Sequence, residues 1–104
     1  MQYDKLIELG HMEKQYDAAG YPAAETFVSE STAFAEEESV TRDEFYKAAA
    51  IGKTLTETFV LREKWSYHEE PVVKCENRLY TVVRAYFKKK TAQWFLNCTM
   101  LKEG

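Results

Sequence analysis

Three consecutive glutamates, Glu36, Glu37 and Glu38, are the densest set of chemically active side chains in the sequence. Converging carboxylates could bind a metal ion or transfer protons. The surrounding residues favour a β-strand, in which successive side chains point to opposite faces of the sheet. Glu37 is therefore expected to point away from the other two glutamates, which argues against a three-carboxylate site. A solvated strand or an acidic wall formed by Glu36 and Glu38 is the expected alternative.

The other residues that often do chemistry are isolated in the sequence. His11 and His68 have no ligand partner at a useful spacing, so surface histidines are expected rather than metal ligands. Cys75 and Cys98 form no CxxC pair and are expected to be buried thiols. No Ser-His-Asp set, phosphate-binding glycine loop or HExxH motif is found, and the chain has only four glycines. We therefore predict no enzyme, no cofactor and no metal site.

Basic and aromatic residues raise the alternative of nucleic-acid binding. The lysine run at 88–90 could contact phosphates, although such a run is more often a solvated hairpin tip. Trp65, Tyr67 and Trp94 could stack on bases, as in barrels that bind single strands. Trp94 alternates with apolar residues along one strand face, however, which favours a place in the core. The alternative function is therefore a barrel of the oligonucleotide-binding type that binds single-stranded nucleic acid.

The charge of −3 is unevenly distributed along the 104 residues. Residues 1–52 hold eleven acids and four bases, a net −7, whereas residues 53–104 hold six acids and ten bases, a net +4. Separated charge of this kind can attract one copy of a protein onto the next. The length predicts one domain, 1–104. No apolar run is long enough to span a membrane and no signal sequence precedes the domain, so a protein that is not secreted is expected.

Strand patterns dominate the chain. Alternating apolar residues predict a first strand from Tyr3 to Leu9 and extended segments at 26–29 and 32–38. Turns are expected around Gly20 and at 88–90. Further strands are expected at 55–63, 72–75, 79–87 and 93–101, with a loop at 65–71 and a hairpin turn at 76–78. These elements predict a mainly β fold, a small antiparallel β-barrel of about six strands with one short helix. The expected core residues are Phe59, Leu61, Tyr80, Val82, Trp94 and Leu96.

One segment carries a full set of helix signals between two of these strands. Thr41 and Glu44 form a capping box, and Gly52 is suited to end the helix. The predicted helix spans 42–51 within an insertion at 39–54. Because a short helix adds nothing to a barrel wall, it is expected either to plug one end or to project. The residues expected to pack it against the fold are Phe45, Ala48 and Ala49.

The order of four motifs carries a family resemblance. They are FAE at 34–36, SVTRDEFYKA at 39–48, ETFVLR at 57–62 and NRLYTVVRAY at 77–86. In this order they resemble the head-closure family of tailed phages, also called head-tail adaptor or stopper proteins. The more specific part is an acid-Phe-Tyr-x-Ala helix followed at this distance by Tyr-x-Val-x-Arg. The chain differs from the family in having no glycine in the turn at 76–78 and in placing Glu37 where relatives tend to be apolar.

The resemblance implies a structural subunit of the phage head-to-tail connector. Copies would form a homo-oligomeric ring on the portal or adaptor ring, with double-stranded DNA passing non-specifically along the axis. The ring would close the channel after packaging and offer a docking surface to a tail-terminator or tail protein. The expected location is the virion, after assembly in the cytoplasm of the bacterial host, without a membrane partner. The implied channel or interface segment is Thr41, Arg42, Asp43, Glu44, Phe45, Tyr46 and Lys47, and Glu36 and Glu38 would form an acidic channel wall.

Overall fold

Six antiparallel strands and one short helix make up the fold, and the computed structural model describes residues 5–103. The strands form one sheet that closes as a barrel in the order β1-β2-β3-β6-β5-β4. The elements are β1 (Lys5–Tyr16), β2 (Pro22–Glu38), α1 (Arg42–Ala49), β3 (Glu57–Leu61), β4 (Val72–Cys75), β5 (Arg78–Lys88) and β6 (Gln93–Glu103), with a 3₁₀ turn at Lys64–Ser66. The predicted mainly β fold with a single helix is confirmed.

The first hairpin is longer than the sequence pattern predicts. The extended segments expected at 26–29 and 32–38 form one continuous strand, β2, which pairs with β1 along most of its length. The two segments are continuous because neither glycine nor proline separates them. The expected turn at Gly20 joins β1 to β2, and Gly20 has a positive φ of 86°. Tyr3, with which the first strand is predicted to begin, lies outside the described residues.

The outer part of this hairpin extends beyond the barrel. β4 pairs with β1 only over residues 8–10, and β3 pairs with β2 only over residues 35–38. Residues 11–28, here called the arm, therefore pair with each other and with no other strand in the described part of the chain. The molecule is accordingly elongated, with extents of 52 × 30 × 21 Å.

Alternating side chains fill the interior of the barrel. Phe59, Leu61, Tyr80 and Leu96 are buried, and the rings of Phe59 and Tyr80 meet edge to face with centroids 5.2 Å apart. The other buried members of this core are Ile7, Leu9, Ala33, Ala35, Val73, Cys75 and Cys98. Two residues expected to be mostly buried, Val82 and Trp94, are instead only partly buried against the core.

A bulge in β5 changes which of its residues face the core. Val82 and Arg84 oppose consecutive residues of β6, so Val83 is the extra residue. Before the bulge Tyr80 and Val82 point inward, and after it Ala85 does. Because of this switch, apolar side chains occur at both odd and even positions along 79–87. Val82 is half-buried because it lies beside the bulge, where the ladder is irregular.

Aromatic rings close the barrel end from which the arm extends. The ring centroids of Tyr67 and Phe87 lie 5.2 and 5.5 Å from that of Trp94. Tyr67 belongs to the loop before β4, and Glu70 of the same loop accepts a hydrogen bond from Ser31 at the base of the arm (3.0 Å). Trp94 is half-buried because it lies in this aromatic rim and not deep among the strands.

α1 lies on the outside of the barrel wall. Its Glu44 carboxylate accepts hydrogen bonds from the hydroxyl of Tyr86 (2.8 Å) and the amide of Asn97 (3.0 Å). Asn97 points outward, because its neighbours Leu96 and Cys98 belong to the core. The expectation that the helix plugs one end or projects is therefore wrong. A short helix can lie along a barrel wall when that wall offers it hydrogen-bond donors and a narrow apolar strip.

α1 begins as predicted and ends earlier. Thr41 and Glu44 make both hydrogen bonds of the capping box. The helix ends at Ala49, short of the predicted end at 51. Of the three residues expected to pack it, only Ala48 is buried, whereas Phe45 and Ala49 are exposed. The prediction for those two residues is wrong because the wall meets α1 along a single narrow face.

The turn that joins β4 to β5 forms without a glycine. Glu76 and Asn77 are the two turn residues, with φ values of 51° and 65°. Positive φ at both central positions is the geometry of a tight two-residue hairpin, and asparagine tolerates it better than most residues. The hairpin expected around 76–78 is therefore present.

Gly10 determines where the arm leaves the barrel. The register of β1 with β2 shifts between Leu9 and Gly10, and a Cβ on residue 10 would lie 1.9 Å from the carbonyl oxygen of Val28. That obstacle is main chain, so it cannot move aside without opening the hairpin. We expect Gly10→Ala to lower the free energy of unfolding by about 1–3 kcal/mol. Denaturant titration measures this loss of unfolding free energy.

The control for this change is Ser29→Ala, because Ser29 is the register partner of Gly10 and is exposed. It alters the same place without a clash and is expected to change stability by no more than about 0.5 kcal/mol. Amide exchange of residues 11–28 should also become faster in Gly10→Ala than in the control. Equal stability of the two variants would show that the approach of the two strands at Gly10 is not fixed.

Candidate functional site

The predicted interface segment and part of the acidic wall meet on one side of the barrel. A cleft of about 350 Å³ lies between α1, the end of β2 and the outer faces of β3, β5 and β6. The residues predicted from the sequence that line it are Glu38, Thr41, Asp43, Glu44 and Lys47. Its other lining residues are Ser39, Thr58, Arg84, Tyr86, Lys88 and Phe95. Arg42, Phe45 and Tyr46 belong to the same helix but do not line the cleft.

The three glutamates of β2 separate as strand alternation predicts. Glu37 lies on the inward side, and its carboxylate is 3.1 Å from the ammonium group of Lys5. Glu36 and Glu38 lie on the outward side, where both are half-buried. Only Glu38 reaches the cleft beside α1. The two outward carboxylates share a face, while their role as the wall of a channel stays a prediction.

Both carboxylate oxygens of Glu44 accept hydrogen bonds, one within the cap of α1 and the other from the barrel wall. Oε1 accepts from the backbone amide and hydroxyl of Thr41, at 3.2 and 3.0 Å. Oε2 accepts from Tyr86 and from Asn97. Asn97 is fully buried, and its side-chain oxygen in turn accepts a hydrogen bond from Thr58 at 2.9 Å. The buried amide of Asn97 therefore keeps its acceptor only while α1 lies on the wall.

This network changes the acidity of its two ionisable members. Burial tends to raise the pKa of Glu44, but hydrogen bonds from Tyr86, Thr41 and Asn97 outweigh it and leave the pKa below its usual value. Burial, followed by the hydrogen bond to Glu44 and its charge, raises the pKa of Tyr86 to about 12. At neutral pH the pair is therefore a carboxylate and a protonated hydroxyl, the forms that this hydrogen bond requires.

Cations lie over an aromatic pair on the floor of the cleft. The rings of Tyr86 and Phe95 stack with centroids 5.3 Å apart and an interplanar angle of 12°. The guanidinium carbon of Arg84 lies 4.7 Å from the Tyr86 centroid, and Lys88 Nζ lies 4.2 Å from the Phe95 centroid. Because the opposite lining is acidic, the cleft presents both signs of charge. It suits a protein surface of mixed charge better than a bare phosphate group.

Large apolar side chains are exposed at several places on the molecule. On α1, the rings of Phe45 and Tyr46 meet edge to face and point away from the barrel, and Ile51 just after the helix is 71% exposed. The other exposed large apolar residues are Leu6, Tyr16, Tyr21, Phe34, Trp65, Phe87, Met100 and Leu101. Phe45 and Tyr46 form a small exposed apolar cluster, and such clusters can mark contact surfaces for other proteins.

The residues considered for base stacking do not form one platform. Trp65 is largely exposed, whereas Tyr67 and Trp94 are half-buried against each other in the rim of the barrel. Lys88 ends β5 and lies over Phe95, and residues 89–90 are exposed in the turn that follows. The lysine run therefore lies at the tip of the β5–β6 hairpin.

The surroundings of the two cysteines and of His11 are those of residues with a structural role. Cys75 and Cys98 are buried free thiols, and burial raises the pKa of Cys75 to about 11 and that of Cys98 further still. His11 lies between two carboxylates, with Nδ1 2.8 Å from Glu30 and Nε2 3.1 Å from Glu13, which together raise its pKa. Within residues 5–103, no group of three or more His, Cys, Asp or Glu side chains is arranged to hold a metal ion.

Asn97 is one of the members of the site that sequence reasoning missed. Alternation along β6 places it on the face opposite Leu96 and Cys98 and gives no sign of a partner there. The signal that could have found it is a carboxamide inside an otherwise apolar strand, which often marks a polar group with a specific partner. The identity of that partner, Glu44, could not follow from the pattern of β6 alone.

Two further findings concern the chain as a whole. Among the residues described, no helix is long and apolar enough to cross a membrane. Comparison of the chain with protein-family models and with curated proteins found no match.

Proposed function

We propose that this protein is a structural subunit of a phage head-to-tail connector ring. In this function it binds the portal or adaptor ring, closes the DNA channel after packaging and offers a docking surface to the tail. The order of motifs in the sequence supports the proposal, and so does a closed barrel with a helix-bearing segment between β2 and β3. The chemistry of such a subunit is assembly and not catalysis.

The arm is the observation that carries this proposal. It extends beyond the barrel, and its residues from 13 to 26 are all exposed. Tyr16 and Tyr21 near its tip are 61% and 68% exposed. A long hairpin with open edges is a liability for a protein that functions alone, because unpaired strand edges invite association. The same open edges are useful in a subunit that must contact neighbouring copies in a ring.

The side of the barrel that carries α1 is the second contact surface in this proposal. Phe45 and Tyr46 point outward from a helix that the wall holds through Glu44, so they are presented on a supported element. Glu36 and Glu38 lie on the neighbouring outward face of β2. If that face lines the channel, its negative charge keeps passing DNA from adhering.

The test is electron microscopy of the purified protein mixed with portal rings. We expect a monomer in dilute solution by light scattering, and a ring of density on the portal when the two are mixed. Phe45→Ala/Tyr46→Ala should keep the barrel folded and produce heads that lose DNA or fail to join tails. Asn77→Gly, in a turn that accepts positive φ, is the matched control and should behave as the wild type.

Two outcomes would contradict the proposal. One is the absence of any density on portal rings at micromolar protein. The other is micromolar binding of short single-stranded oligonucleotides that weakens steeply with salt, which would favour the nucleic-acid-binding alternative. Titration at two salt concentrations by fluorescence anisotropy distinguishes that binding from weak non-specific attraction.

A further inference from the structure

We propose that the open edge of β2 in the arm adds, strand to strand, to the open edge of β5 in a second copy of this chain. The inference rests on the proposed ring, because it names the contact by which neighbouring copies would be joined. The partner is another copy, and the contact is a short antiparallel or parallel ladder reinforced by opposite charges.

The donor edge is the outer side of β2 over residues 22–33. β3 begins to pair with β2 only at Ala35, and the last contact before it is the Arg62 amide, which donates to the carbonyl of Phe34 (3.0 Å). Over residues 22–33, no strand in the described part of the chain pairs with that side, although the 3₁₀ turn Lys64–Ser66 contacts β2. The segment 22–35 carries Glu25 and Glu30 and no base. It is therefore a long, accessible and acidic edge.

The acceptor edge is the side of β5 that faces away from β6. β4 covers β5 only over residues 78–81, and the Val82 amide then donates to the carbonyl of Pro71 (2.9 Å). Over residues 83–88, β6 is the only strand of the described chain that pairs with β5. This stretch and the following turn hold Arg84 and the lysines at 88–90, and residues 79–92 include no acid. Arg84 and Lys88 share the α1 cleft with Glu38, Asp43 and Glu44, so the acceptor edge is basic chiefly at its tip, where residues 89–90 are exposed.

The barrel order places the two edges on opposite sides of the molecule. In the closed order β1-β2-β3-β6-β5-β4, β2 and β5 are three strands apart in either direction. One copy cannot join its own edges, so the contact must be between copies. Two different patches on opposite sides of a subunit form a head-to-tail contact, which is the kind that closes into rings.

Strand addition suits these edges better than self-pairing of two arms. Backbone hydrogen bonds supply the attraction in strand addition, and the side chains supply the selectivity. A symmetric pair of β2 edges would place Glu25 and Glu30 of one copy beside those of the other, and like charges directly opposite are destabilising. The basic β5 edge removes that repulsion and replaces it with attraction. The expected association is therefore salt-dependent.

Charge exchange between the two edges tests the contact. The arm variant Glu25→Lys/Glu30→Gln keeps an acceptor for His11, and the tip variant Lys89→Glu/Lys90→Glu changes only exposed turn residues. Each variant should weaken self-association about tenfold or more, as measured by sedimentation velocity. The combined variant should recover most of the lost association. Glu13→Lys, the same reversal on the arm's other strand, is the control and should have little effect.

Cross-linking locates the contact directly. A carbodiimide joins carboxylates to amines without a spacer, and mixing unlabelled with ¹⁵N-labelled chains distinguishes links between copies from links within one. We expect mixed links that join Glu25 or Glu30 to the lysines at 88–90, both in concentrated protein and on portal rings. The absence of mixed links, or rings on the portal that neither charge variant weakens, would overturn the inference.

These outcomes separate the inference from the proposed function. Rings that form on portals but ignore both charge variants leave the connector function intact and remove the β2–β5 contact. Mixed links and charge rescue in free protein that never binds a portal establish the contact and contradict the connector function. A combined variant that fails to recover association, although each variant remains folded by circular dichroism, also counts against the pairing of these two edges.

Discussion

Phe59→Ala is expected to lower the free energy of unfolding by about 3–5 kcal/mol. Phe59 has no exposed surface, and its ring packs edge to face on Tyr80 across the barrel. Removal of the ring leaves a cavity between strands that the closed hydrogen-bond ladder holds apart, so the site can collapse only in part. Small domains have total stabilities of roughly 5–15 kcal/mol, so this single loss is a large fraction. Urea unfolding followed by circular dichroism measures it.

Phe45→Ala removes the same atoms from an exposed position and is the matched control. Phe45 is 41% exposed on α1, and alanine is the better helix former, so we expect a loss of less than about 1 kcal/mol. If the two variants lost equal stability, the helix and not the barrel interior would hold the fold together. Equal slopes of unfolding free energy against urea concentration would show that neither change alters the unfolded state.

The features that sequence reasoning found are those determined by neighbouring residues. The capping box of Thr41 and Glu44 is a local contact, and it forms as the spacing predicts. The hairpin of Glu76 and Asn77 is equally local, because positive φ at two successive residues determines its geometry. The barrel itself follows from alternation along six strands, which determines the buried face but not the order of the strands.

The position of α1 could not follow from local signals. Its attachment depends on Tyr86 and Asn97, which approach Glu44 only because β5 and β6 pair beside it. The bulge at Val83 also matters, because it turns Arg84 and Tyr86 to the outward face after Tyr80 and Val82 have pointed inward. A strict period of two along β5 assigns the second half of the strand to the wrong side.

Sequence reasoning did not predict the arm, for a different reason. Its alternating polar and small residues give a weak strand pattern, so the sequence marks separate segments where one long strand exists. The glycine at residue 10 is the available signal, because glycine inside a strand often marks a bulge or a close backbone approach. The length of the arm beyond the barrel depends on where β3 and β4 stop pairing with it, which no local pattern specifies.

Glu44→Ala is the second large prediction, with an expected loss of about 2–3 kcal/mol. The change removes the acceptor of Tyr86 and leaves the buried amide of Asn97 with one partner fewer. It also removes one of the two bonds of the capping box. Asp43→Ala is the control, because Asp43 is exposed and its carboxylate pairs with Lys47 one turn away. That control is expected to cost about 0.5 kcal/mol or less.

The same residue makes a pH-dependent contribution whose sign follows from its pKa. The pKa of Glu44 in the folded protein lies below its ordinary value of 4.5, so the unfolded chain takes up the proton first as the pH falls. The stabilisation from ionised Glu44 is therefore fully present above pH 4.5 and is lost as the pH falls through the folded-state pKa.

Glu44→Gln keeps the shape and one acceptor but cannot ionise. The difference in unfolding free energy between wild type and Glu44→Gln should shrink between pH 7 and pH 3, and α1 amides of the wild type should lose protection relative to β5 over the same interval. A difference that stays constant with pH would mean that Glu44 holds α1 by shape alone and that its charge does not contribute.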